Sequence, residues 1–204
     1  MRNGPLTIPS LRQFLLKVHK DLFSVDDRIT AYEGESLLSD FEKLVLVLED
    51  RRYFKHFGVD WKSVAREVIR AVLRRRHGGA STIDMQFVRT ATGYREIRLG
   101  RKIYEMLLAF IVQYRYSKLQ ILRSYLECAF FGSGIHGCYS ASYLIYSKPP
   151  GMLDKKEAAE LASMLVYPKP LNPGQKWHEH IAKRSKYGLA KLDGFEKTLK
   201  KFKC

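Results

Sequence analysis

Apolar residues recur every three or four positions through most of this chain, and no stretch alternates apolar and polar residues convincingly enough to be a strand. Leu44, Val45 and Leu48 form one apolar face behind a cap at Ser39 or Asp40. Trp61, Val64, Ala65, Val68, Val72 and Leu73 form a second, with Arg66, Arg70 and Arg74 on its other faces. Ile103, Leu107, Phe110, Ile111 and Tyr114 mark a helix over 101–116. Ser117 and Gln120 make a capping box ahead of Ile121, Leu122, Tyr125 and Leu126; Asp154 and Glu157 do the same ahead of Ala158, Leu161, Ala162 and Leu165. A short helix is expected over 11–22, a loop leading into a helix over 80–92, and a basic helix over 177–192. The prediction is a mainly α fold: one helical domain over 39–192, an N-terminal extension over 1–38 and a basic tail over 193–204.

With 204 residues, one sizeable core is available. Thirty-six Lys and Arg against 21 Asp and Glu give a formal charge of +15, which seeks a polyanion: nucleic acid, an anionic membrane face or a phosphorylated substrate. No RNA-binding strand signature or similar motif supports nucleic acid. The longest apolar run, Met106 to Val112, is far below the ~20 residues of a spanning helix. The N-terminus lacks the pattern of a signal peptide, because Lys17 interrupts Phe14-Leu15-Leu16. Membrane contact is therefore expected to be peripheral. Cys128, Cys138 and Cys204 have no metal-type spacing and are expected as buried or free thiols.

The segment Glu49-Asp50-Arg51-Arg52-Tyr53-Phe54-Lys55-His56-Phe57-Gly58 resembles the first signature of glycosyltransferase family 51, E-D-x-x-F-x-x-H-x-G. Gly79-Ala80-Ser81-Thr82-Ile83 with Gln86 is similar to that family's second motif, and Arg101-Lys102-Ile103-Tyr104-Glu105 to R-K-x-x-E. Lys118, Ile121, Leu122, Tyr125 and Leu126 resemble K-x-x-I-L-x-x-Y-L-N; the glycine loop at 132–137 and Glu157-Ala158-Ala159 follow in order, with a weak match to R-R-x-x-V-L from Arg184. So many motifs in one order make the resemblance specific over residues 40–192.

The resemblance implies a lysozyme-like helical fold and the polymerisation of lipid II into β-1,4 glycan strands, with undecaprenyl diphosphate leaving. It places Glu49 as the base and Glu105 as the donor-side acid, with Mg²⁺ or Mn²⁺ at Glu105 as a further expectation. A poorly nucleophilic hydroxyl needs a carboxylate base, and a leaving diphosphate needs cations or donors. Asp50, Arg51, Tyr53, His56, Ser81, Thr82, Gln86, Arg89, Arg101, Lys102 and Lys118 are the implied substrate-binding set. Implied partners are lipid II, the growing glycan strand, the anionic membrane surface and cell-wall synthesis proteins. The implied location is the bacterial cell envelope, at the outer face of the cytoplasmic membrane.

Simpler readings stand beside these. Arg101 and Glu105 are spaced as an i,i+4 ion pair worth ~0.2–0.5 kcal/mol; His56 alone reads as structural, and Ser81-Thr82 as a helix cap. The aromatic stretches 104–116 and 125–146 read as core, and the Arg74–His77 cluster as a solvated helix end. Asp84, Met85, Thr90, Ile97 and Glu127 depart from the family pattern. Asp84 and Glu127 are expected to set negative charge near the diphosphate, and reverting 84, 85 and 90 is expected to speed turnover. Alternative functions are a degenerate precursor-binding relative, a peptidoglycan hydrolase built on two carboxylates, and a nucleic-acid-binding protein.

Overall fold

A computed structural model describes residues 10–29, 37–73, 79–94 and 99–200. The Arg74–His77 cluster, Ile97, Cys204 and the ends of the chain lie outside the described residues.

The central element is α2 (Asp40–Glu49), whose Ser39–Glu42 capping box closes its N-terminus. Phe41, Leu44, Val45, Leu46 and Val47 are all buried, so α2 has almost no solvent face. Two later helices, α8 (Lys155–Ser163) and α9 (Gln175–Lys200), pack on it. The contact is close: a Cβ built on Gly188 of α9 would sit 3.2 Å from Leu48 Cδ2. Ala158, Ala159 and Ala162 give α8 the small inner surface that such an approach requires, with Leu161 buried beside them.

On the other side, α4 (Ile83–Thr92) contacts both α5 (Leu99–Arg115) and α6 (Lys118–Cys128). The helix expected to follow a loop within 80–92 starts at Ile83, because Thr82 Oγ1 accepts from Met85 N and caps it. α1 (Leu11–Asp26) lies across α4 and α5 and contributes Leu22 and Val25 to the core. It is four residues longer than the 11–22 predicted. The glycine loop forms a small antiparallel hairpin, β1 (Phe130–Gly132) and β2 (Ile135–His136), and α7 (Cys138–Tyr146) follows. The mainly α prediction holds.

Two expectations change. α9 continues to Lys200, so residues 193–200 are helix rather than tail; Leu192 and Phe195 are buried and extend its inner face past the expected end. The aromatic stretches are not all core, since Phe110, Tyr114, Phe130, Tyr139 and Tyr143 are exposed.

α3 (Trp61–Val72) is capped by Asp60, whose carboxylate accepts from Lys62 N, Ser63 Oγ and Arg52 Nε. Its apolar stripe faces outward. Trp61, Val68 and Ile69, with Leu73 just beyond, are each more than half exposed. On α5, Ile103, Leu107, Phe110 and Tyr114 recur as an i, i+4, i+7, i+11 stripe that is also exposed. The chain reaches α3 over α5 through Gly58, where φ is +69° and a Cβ would lie 2.7 Å from Ala109 O. The adjoining Phe57 ring packs edge-on to Phe110 at 5.0 Å. Among the described residues no helix is long and apolar enough to cross a membrane.

Candidate active site

Glu49 is the last residue of α2, where the helix carbonyls are unsatisfied and carboxylates are disfavoured unless a cation or donor is supplied. α9 supplies the cation. Arg184 Nη2 donates to Glu49 Oε1 at 2.7 Å and to Leu48 O at 3.0 Å, neutralising the carboxylate and a helix-end carbonyl together. From α4, Gln86 Nε2 lies 3.4 Å from Glu49 Oε2, and Gln86 Oε1 accepts from Tyr125 Oη at 2.6 Å. This fixes which way the Gln86 amide points. Burial, with the Glu49 charge second, raises the Tyr125 pKa, so the phenol stays a donor.

Asp50 caps the same helix end. Its Oδ2 accepts from Ile83 N at 3.3 Å and lies 3.0 Å from His56 Nε2, which ties the α2 terminus to the start of α4. Below it, Asp84 is fully buried and accepts from Lys118 Nζ at 2.9 and 3.1 Å. The Lys118 ammonium sits 4.3 Å from the Tyr53 ring centroid, and Tyr53 Oη donates to Lys118 O. Burial lifts Asp84 from 3.8 to about 6 against the pull of Lys118, and burial lowers Lys118 against the pull of Asp84.

The candidate residues therefore fall into three groups. Asp50, Tyr53, His56 and Thr82 are buried or nearly so, with side chains engaged inside the protein; Thr82 Oγ1 donates to Gly58 O at 2.6 Å. Lys118 joins them, since its ammonium is engaged by Asp84. The negative charge expected near the diphosphate at Asp84 is instead an internal ion pair with Lys118. Glu127, also expected near the diphosphate, lines a cavity of about 390 Å³ with Ser39, Glu42 and Cys138, at the opposite end of α2 from Glu49. Ten helical residues put these ends about 15 Å apart.

The second group is cationic. Lys102 Nζ donates to Ser81 Oγ. Burial lowers the Lys102 pKa first, with Glu105 opposing and Arg89 and Arg101 adding repulsion, so two further cations and one carboxylate lie within electrostatic reach of Lys102. Glu105 is 1% exposed. Its Oε1 lies 3.2 Å from Arg101 Nε, but the two atoms are buried without a hydrogen-bond partner among the described residues. One carboxylate among three cations suits an incoming anion. Glu105 would be the single carboxylate ligand there for Mg²⁺ or Mn²⁺ shared with a diphosphate, an arrangement that the Arg101 charge beside it opposes. Asp50, His56 and Asp84 are close enough to bind an ion, but Lys118 already supplies their cation.

The third group contains the accessible residues: Arg51, exposed beside the Tyr187 ring at 5.8 Å, with Ser81 and Gln86 near the surface; Arg89 of the second group is exposed as well. Arg184 is the residue sequence reasoning missed as a site member. Only the weak motif match at that position pointed to it.

A sequence model of the family described as Transglycosylase matches residues 20–193. The chain is similar to Penicillin-binding protein 1A of Rickettsia felis, 31% identical over 166 residues, covering 78% of this chain and 21% of that protein. It is 32% identical to Penicillin-binding protein 1A of Neisseria flavescens over 177 residues, covering 82% and 22%. It is 33% identical to Penicillin-binding protein 2a of Streptococcus pneumoniae over 144 residues, covering 71% and 19%. The chain thus spans about a fifth of the length of these relatives.

Proposed function

This chain belongs to the transglycosylase family, and from that membership and the site geometry we propose that it is a peptidoglycan glycosyltransferase, extending β-1,4 glycan strands from lipid II. The observation that supports this most directly is a carboxylate, Glu49, seated at the end of α2 by Gln86 of α4 and Arg184 of α9, in a protein that also gathers Arg89, Arg101, Lys102 and Glu105 within electrostatic reach of one another. In the reaction, the acceptor hydroxyl oxygen bonds to the donor anomeric carbon while the bond from that carbon to the diphosphate breaks. Glu49 takes the hydroxyl proton, and the electron pair leaves with undecaprenyl diphosphate. Attack opposite the leaving group inverts the carbon. Arg89, Arg101 and Lys102 offset the charge that develops on the diphosphate. A hydrolase of neutral glycan has no use for such a cluster.

The outward apolar stripes of α3 and α5 support peripheral attachment to a membrane, where a lipid-linked donor resides. Lys62, Arg66 and Arg70 flank the α3 stripe, the pattern of an interfacial helix. This reading places the protein at the outer face of the cytoplasmic membrane, beside other cell-wall synthesis proteins. The test is a gel assay with purified lipid II, with Mg²⁺ or with EDTA, comparing wild type and Glu49→Gln. Polymer from wild type alone supports the function; absence of polymer from wild type in both buffers refutes it.

A further inference from the structure

We infer that Asp21 on α1 is a positioning residue for Glu105, acting through Tyr104. Asp21 is 6% exposed, and its Oδ2 alone accepts three hydrogen bonds: from Tyr104 Oη at 2.7 Å, Tyr94 Oη at 2.8 Å and Lys17 Nζ at 3.0 Å. The Lys17 ammonium also lies 3.7 Å from the Tyr104 ring centroid and 4.2 Å from that of Tyr94. The two rings meet edge to face at 6.3 Å, and Phe14 packs edge-on to Tyr104 from the other side. A carboxylate, an ammonium and two rings thus fix one side chain of α5, that of Tyr104.

That side chain immediately precedes Glu105. Tyr94 follows the end of α4 and Tyr104 lies in the second turn of α5, so the knot also ties the end of α4 to the first turns of α5. Glu105 and Arg101 have no hydrogen bond holding their paired atoms, so the aim of Glu105 depends on how α5 is rolled. Side chains on a helix reach about 5–6 Å from its axis, so a roll of roughly 10° moves a carboxylate by about 1 Å. A shift of that size at a reacting centre costs on the order of a hundredfold in rate. Burial and the Asp21 charge hold the Tyr94 and Tyr104 pKa values above the ordinary phenol, so both remain donors to Asp21. A second contact gives an internal control. At the far end of α5, Tyr116 Oη donates to Asp26 Oδ1 at 2.8 Å and Arg115 pairs with Asp26 Oδ2 at 2.9 Å.

The experiment compares Tyr104→Phe with Tyr116→Phe, each of which deletes one phenolic hydrogen bond between α1 and the α5 end. Its activity arm rests on the glycosyltransferase reading; its amide-exchange arm does not. Tyr104→Phe is expected to lower kcat by about tenfold or more with KM within about twofold, and to speed amide exchange over residues 101–108. Tyr116→Phe should leave kcat and that exchange unchanged. Equal effects of the two variants, or a Tyr104→Phe defect confined to KM, would overturn the assignment. If wild type makes no polymer, the functional reading fails, and exchange alone decides the positioning: faster only in Tyr104→Phe supports it, unchanged overturns it.

Discussion

Arg184 Nη2 donates to both Glu49 Oε1 and Leu48 O, so one guanidinium on α9 holds the carboxylate and the last turn of the helix that carries it. The two residues are 135 positions apart in sequence. The C-terminal helix is therefore part of the site's framework. Removing Arg184 leaves a mostly buried carboxylate and a helix-end carbonyl without their donor. Arg184→Ala is expected to cost about 1–3 kcal/mol in urea unfolding and to lower turnover with it. Arg184→Lys should restore part of the stability, since one ammonium can reach one acceptor but lacks the planar fork. Wild-type stability and turnover in Arg184→Ala would remove α9 from the site.

Glu49→Gln removes the base and retains shape, including an oxygen to accept from Arg184. Loss of general-base catalysis is worth typically about 10²–10⁴-fold. Polymer formation should fall by that range while circular dichroism stays unchanged. Near-normal turnover would exclude Glu49 as the base.

The Asp84–Lys118 pair makes stability depend on pH in a defined window. The folded pKa of Asp84 is raised, from 3.8 to about 6, so its contribution is fully present below about pH 4 and is lost as pH rises through about 6. That rise corresponds to roughly 3 kcal/mol across the window. Asp84→Asn does not titrate there, so subtracting its urea-midpoint profile from that of wild type should expose this slope. Parallel profiles between pH 4 and 7 would show that Asp84 does not titrate in the fold as described.

The helices were legible in the sequence because capping boxes and 3.6-residue spacing are local signals, as at Ser39–Glu42 and Ser117–Gln120. What local signals could not carry was which face turns inward. Asp84 and Met85 read as damaged contact positions on a polar motif, yet both are buried, Asp84 against Lys118 and Met85 in the core. The expected gain from Asp84→Thr with Met85→Gln and Thr90→Asn therefore reverses. Asp84→Thr strands a buried ammonium, and Met85→Gln buries an amide without a provided partner, at about 1–3 kcal/mol for the amide alone. The triple variant should unfold at lower urea and turn over more slowly than wild type; a faster, equally stable variant would refute this. Arg184 and Asp21 escaped notice for a related reason. Their partners come from distant helices, which only the folded chain brings together.

Sequence charge alone predicts membrane binding that disappears with salt, whereas the outward stripe of α3 predicts a residue of binding that does not. Each basic group near an anionic surface contributes about 1 kcal/mol, and at 1 M salt the screening length is about 3 Å, so that part is removed. Burying a large apolar side chain contributes about 1.5–3 kcal/mol and is not screened. Trp61 is 65% exposed and Ile69 58%, so Trp61→Ser with Ile69→Ser removes apolar contact without opening the core. Wild type should bind anionic vesicles more weakly in 1 M salt but still measurably. The double variant should lose that salt-resistant binding by more than about tenfold while keeping its unfolding midpoint. Wild-type binding that vanishes completely in salt would leave charge as the sole attraction. Unchanged binding by the double variant would move the contact away from α3.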